Sequence, residues 1–174
     1  MTSIEREILW TLTRKVRVLS PRQITRTWWP AEGSGTRRAQ SLLRGLSKSG
    51  LVALVPALVH PELPLKAPVL CWKPGSPLPD FGSASYSLRA RWRAQPEPTT
   101  LVVATREATR LVGGFISNRN PRLSETTHDL HVAGVYLWLR SHHPRAARRW
   151  TSEHELHALG YGRGSRLPDA MLRG

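Results

Sequence analysis

Apolar and polar positions along the first fifty residues fall into three stretches of helical spacing separated by turns. Ile4, Ile8 and Leu12 recur every four residues with Leu9 beside them, which predicts an amphipathic helix across 4–12. In Leu19-Ser20-Pro21-Arg22-Gln23-Ile24 a serine stands at an N-cap and a proline at the first helical position. A second helix therefore starts there and runs to Trp28-Trp29, where Pro30 stops it. After the Gly33-Ser34-Gly35 turn, residues 36–50 predict a third helix. Ala39, Leu42, Leu43 and Leu46 form its buried stripe, and Gly50 is its C-cap.

The spacing then changes. Leu51 to Val55 and Pro68 to Gly75 predict two strands joined by a proline-punctuated loop, so residues 1–75 are expected to form a winged helix-turn-helix. Residues 76–97 read as a Pro/Gly-rich connector leading into a basic helix, Tyr86 to Arg93, which Leu88 and Trp92 pin to a core. A second domain is expected over 98–174. Thr99 to Thr105 fits either a strand or the lead into a helix, and Gly113-Gly114 ends it. His128 to Arg140 predicts a helix with Leu130, Ala133 or Gly134, Leu137 and Trp138 inward, and Leu167 to Leu172 starts a strand. The fold class is α+β, a winged helix followed by a small α/β region.

Composition adds a partner to this outline. Lysine and arginine number 26 against 12 acids, a formal charge of +14, and most of the positive charge is arginine. Guanidinium forks grip phosphates in two-pronged geometry, so double-stranded DNA is the expected partner. The contacts are expected on the polar face of the third helix, from Thr36, Arg37, Arg38, Gln40, Ser41, Arg44 and Lys48, with Lys66 and Lys73 reaching from the wing. The competing reading of that face is a solvated basic surface on a dimerising winged helix. The single cysteine, Cys71, lies in an apolar run and is expected to pack as a small hydrophobe in a reducing cytoplasm. No run approaches the ~20 apolar residues of a membrane span, and the charged first residues lack a signal sequence, so a soluble, unexported protein is expected.

Catalytic patterns are sparse. The seven histidines include His128/His131 and His154/His157, each three apart, but none falls into a zinc-binding HExxH spacing. His128, next to Asp129 at a helix start, reads as a capping or buried hydrogen-bonded residue. No nucleophile elbow or phosphate-cradling loop occurs, and Gly160-Tyr161-Gly162-Arg163-Gly164 is a loop. The remaining candidate is metal-dependent phosphodiester cleavage, with Asp169 of Pro168-Asp169 as first ligand and Glu153 or Glu155 as an auxiliary. The acidic-x-lysine strand that such a site needs does not follow Asp169, and no lysine occurs after Lys73. No cofactor is expected, with Mg²⁺ entering only if the site is catalytic.

Together the winged-helix pattern, Thr127-His128-Asp129-Leu130-His131 running to Leu139, Trp150-Thr151-Ser152-Glu153-His154-Glu155-Leu156, and Leu167-Pro168-Asp169 resemble the plasmid replication-relaxation family. That resemblance implies an N-terminal winged helix and a C-terminal half of restriction-endonuclease-like fold, here truncated after Pro168-Asp169. It also implies a role in plasmid or mobile-element maintenance. The expected function is non-catalytic binding of duplex DNA, with the C-terminal half serving a homodimer partner or another subunit. Two alternatives remain. One is a Mg²⁺-dependent nuclease or nickase completed by a second chain, and the other is an RNA- or protein-binding subunit of a larger nucleoprotein complex.

Overall fold

The first helix, α1 (Ser3–Arg14), is closed at its start by a capping box: the Thr2 side chain accepts from the Glu5 backbone, and the Glu5 carboxylate accepts from the Thr2 backbone. The structure is a computed structural model and describes residues 1–30, 33–62, 65, 70, 72–91, 93–115, 122, 124–162 and 167–173. The next helix, α2 (Pro21–Trp28), repeats the device with Ser20 and Gln23, and Pro21 fills its first turn as expected. Then comes α3 (Gly35–Lys48), with Ala39, Leu43 and Leu46 buried, Leu42 half-buried and Gly50 at φ 69° closing the end. The α2–α3 corner needs glycine at 35, because a Cβ there would lie 2.9 Å from the Trp29 Cβ.

Strand β1 (Val52–Val59) is followed by helix α4 (Phe81–Arg91), strand β2 (Glu97–Ala104) and helix α5 (Arg106–Val112). β1 pairs antiparallel with β2 from Val52↔Ala104 to Val59↔Glu97. On the other edge of β2, Leu19 and Val102 exchange both backbone hydrogen bonds, at 3.1 and 2.8 Å. Among the described residues β1 is thus an edge strand, which is where Pro56 can be accommodated.

This pairing differs from the hairpin expected between 51–55 and 68–75. Residues 66–69 and 71 lie outside the described residues, Lys66 and Cys71 among them, and 72–80 hold turns rather than strand. Thr99 to Ala104 offers β1 an uninterrupted run of β-branched and apolar residues. The ambiguous stretch at 99–105 is accordingly a strand, and Thr105 caps α5 by accepting from the Ala108 backbone. The expected basic helix begins earlier, at Phe81. Trp92, which was to pin it, lies outside the described residues, as does the side chain of Leu88.

The rest of the chain is α6 (Thr126–His142), α7 (Pro144–Arg149), β3 (Trp150–Ser152), α8 (Glu153–Ala158) and β4 (Ala170–Leu172). β3 and β4 pair antiparallel from Trp150↔Leu172 to Ser152↔Ala170. α6 buries Leu130, Ala133 and Leu137 as its spacing predicts, and also Tyr136, whose ring lies 5.6 Å from that of Trp150.

One apolar cluster runs through the molecule, from Ile8, Leu9 and Leu12 of α1 through Leu43 and Leu46 of α3 and Val102 of β2 to Ala133, Leu137 and Trp150. A boundary at 98 would cut β2 from β1 and divide this cluster. α1 supplies the join. Its C-cap residue Lys15 donates from Nζ to the Trp150 carbonyl at 2.5 Å, and the Trp150 indole donates to the Lys15 carbonyl at 2.9 Å. The architecture is mixed helix and strand, α+β. Among the described residues, no helix is long and apolar enough to cross a membrane.

Candidate nucleic-acid interface

α3 packs on α2 and β1, so the face opposite Ala39, Leu43 and Leu46 is left to solvent. Thr36, Arg37, Arg38, Gln40, Ser41, Arg44 and Lys48 are all exposed there, and the helix contains no acid. Fourteen residues make a rod about 21 Å long at ~1.5 Å per residue, enough to lie across a major groove. Lys73 is exposed in the connection between β1 and β2, while Lys66 lies outside the described residues.

Among the described residues, several acids are engaged away from this face. Glu5 caps α1 and Asp80 accepts from the Ser83 backbone. Glu7 accepts from the Trp28 indole at 2.9 Å and from Arg140 at 2.6 Å. Glu62 binds Ser20 and Arg26, and Glu107 pairs with Arg110.

A second constellation gathers the candidates for metal chemistry. Asp169 and Glu153 are neighbours across the β3–β4 end, where the Glu153 backbone N–H donates to the Asp169 carbonyl at 3.0 Å. Both line a small cleft with Lys15, Arg17, Asp129, Ser152 and His154. Each carboxylate there faces a basic side chain. Arg17 lies 2.6 Å from Glu153, 3.8 Å from Glu125 and 3.9 Å from Asp129, and His128 lies 2.9 Å from Asp169. Among the described residues, no group of three or more His, Cys, Asp or Glu is placed to hold a metal ion. Lys15 is held against the Trp150 carbonyl and the Trp10 ring, and burial lowers its pKa.

His128 differs from its sequence reading. His128 is exposed and pairs with Asp169, and it is Asp129 that is buried. Burial pushes the Asp129 carboxyl up to about 6, against the pull of Arg17 and His128 and with a further push from Glu125 and Glu153. Burial, with Arg17 and His157, lowers His154 to about 4. Burial also lowers the pKa of His131, whose Nε2 lies 3.1 Å from the Pro61 carbonyl.

Arg17, Lys15 and Asp129 carried no functional signal in the sequence. Arg17 and Asp129 stand far apart in the chain in unremarkable contexts, and only packing of α6 and α8 beside the end of α1 brings them together. Comparison with family models, with curated proteins and with solved structures finds no match for this chain.

Proposed function

We propose that this chain binds duplex DNA through α3, acting as a winged helix-turn-helix, and does not cleave it. One observation carries the reading: the outer face of α3 presents Arg37, Arg38, Arg44 and Lys48 with polar Thr36, Gln40 and Ser41 between them and no acid in the helix. The order of elements supports it. A short bridge at Leu19 follows α1, then come α2, α3 and β1, and β1 pairs antiparallel with β2 across a connection that contains α4. In such an order the third helix enters the major groove, its arginines meet phosphates and guanine edges, and the connection between the strands reaches the neighbouring backbone. Lys73 lies in that connection.

The nuclease reading has less behind it. Asp169 and Glu153 do share a cleft, but Asp169 is already engaged by the His128 imidazole and Glu153 by Arg17, whose charge takes the place of a metal's. The kinship of the C-terminal half with a restriction-endonuclease-like fold, and the role in plasmid or mobile-element maintenance, rest on the short sequence motifs alone.

The test is binding to a labelled duplex by anisotropy across a salt series, with and without Mg²⁺, followed by a denaturing gel. Expected are intact DNA and an affinity that falls by about 0.9 in log–log slope for each phosphate contacted. Arg37→Ala with Arg44→Ala should make that slope shallower by roughly 2. A variant that binds as the wild type does would remove α3 from the interface. Mg²⁺-dependent products abolished by Asp169→Asn would establish the enzyme instead.

A further inference from the structure

α6 ends at His142 because Pro144 follows, and His143 leaves the helical region at φ −135° and ψ 65°. Pro144 then opens α7 at its first position. The corner is held by rings: Trp138 stacks on His142 at 5.0 Å and meets His143 at 5.1 Å, and His142 Nδ1 lies 2.9 Å from the Trp138 carbonyl. Ala147 is buried against the core, which turns Arg145, Arg148 and Arg149 outward. On a helix, positions three and four apart share a face, so these three guanidinium groups project together. Arg173, exposed at the end of β4, exchanges contacts with Arg149 through its backbone and adds a fourth cation.

No acid occurs anywhere between Leu130 and Ser152. Arg140, the other arginine of this stretch, is neutralised by Glu7. Arg145, Arg148 and Arg149 have no acidic partner among the described residues. Clustered like charges repel one another by an amount that isolated surface arginines avoid, and the repulsion is relieved by a polyanion lying across them. α7 packs on α6 and β4, whereas α3 packs on α2 and β1, so the two basic surfaces are built on different elements.

We infer that the α6–α7 corner, through Arg145, Arg148, Arg149 and Arg173, is a second phosphate-binding surface that grips the DNA backbone without reading sequence. The inference rests on DNA being the partner of this chain, as proposed above. Contacts of this kind position a protein on the duplex and raise affinity equally for every sequence.

The experiment uses the full chain with Arg145→Gln and Arg148→Gln together, chosen because both side chains are exposed and neither has an acidic partner among the described residues. Anisotropy with a labelled duplex is measured from low to high salt, beside the Arg37→Ala/Arg44→Ala variant. The expected result is a slope shallower by roughly 2 and an affinity weaker by roughly 10- to 60-fold near 0.1 M salt, the same for unrelated sequences. Arg145→Lys/Arg148→Lys, which keeps the charge, should restore the slope. If the glutamine variant binds as the wild type does while the α3 variant is weakened, the second surface is wrong and α3 stands. If the glutamine variant is weakened and the α3 variant is not, the second surface stands and the docking of α3 falls. A wild-type chain with no affinity for duplex DNA overturns both.

Discussion

Asp129→Asn is expected to stabilise the protein at neutral pH and to leave it unchanged in acid. Asp129 lies in the first turn of α6, is 7% exposed, and has its Oδ2 unbonded among the described residues. Arg17 stands 3.9 Å away, too far for a hydrogen bond, so the lost hydration of the carboxylate is only partly replaced. The carboxyl accordingly moves from 3.8 to about 6. Between those two pH values the native state binds more protons than the unfolded chain. Stability contributed by the protonated acid is full below about pH 4, is lost as pH rises through 6, and stays lost above. A shift of about 2 units at ~1.4 kcal/mol each amounts to about 3 kcal/mol.

Asparagine has the shape of the protonated acid and cannot ionise. It should therefore exceed the wild type by up to about 3 kcal/mol at pH 7.5 and match it at pH 4. The assay is urea unfolding of both proteins at constant ionic strength from pH 4 to 8, read as the difference between them. The difference is needed because His154 works in the opposite direction. Its folded value is lowered to about 4, so its contribution is present above its unfolded value of 6.5 and is lost as pH falls. That contribution is common to both proteins and cancels. A variant less stable than the wild type at pH 7.5, or a difference that does not change with pH, would mean that Arg17 stabilises an ionised Asp129 and that the argument from burial is wrong.

Two further substitutions test the packing that presents α3. Gly35→Ala places a methyl group 2.9 Å from the Trp29 Cβ and 3.1 Å from its carbonyl oxygen, so the α2–α3 corner must open, at a cost of roughly 1–3 kcal/mol in thermal or urea unfolding. An unchanged transition would show that the corner has slack. Leu43→Ala, at a position 3% exposed in the central cluster, should cost about 3 kcal/mol, and a loss below 1 would place Leu43 outside the core.

The sequence alone determined what depends on neighbours a few residues away. The starts of α1 and α2 follow from local side-chain caps and from Pro21. The inward stripe of α3 follows from helical periodicity, and that stripe dictates its complement, so the exposed basic face was legible before any tertiary contact was known. What only the tertiary structure decided is what joins distant segments. β1 takes its partner from 97–104, across a long connection, and the β-branched and apolar run from Thr99 to Ala104 carries most of that ladder. Arg17 among Glu125, Asp129 and Glu153, and His128 beside Asp169, arise from the packing of α6 and α8 against the end of α1. Helical hydrogen bonds close within four residues and leave a periodic trace in the chain, whereas strand pairing and buried charge neighbours are chosen by the folded core and leave none.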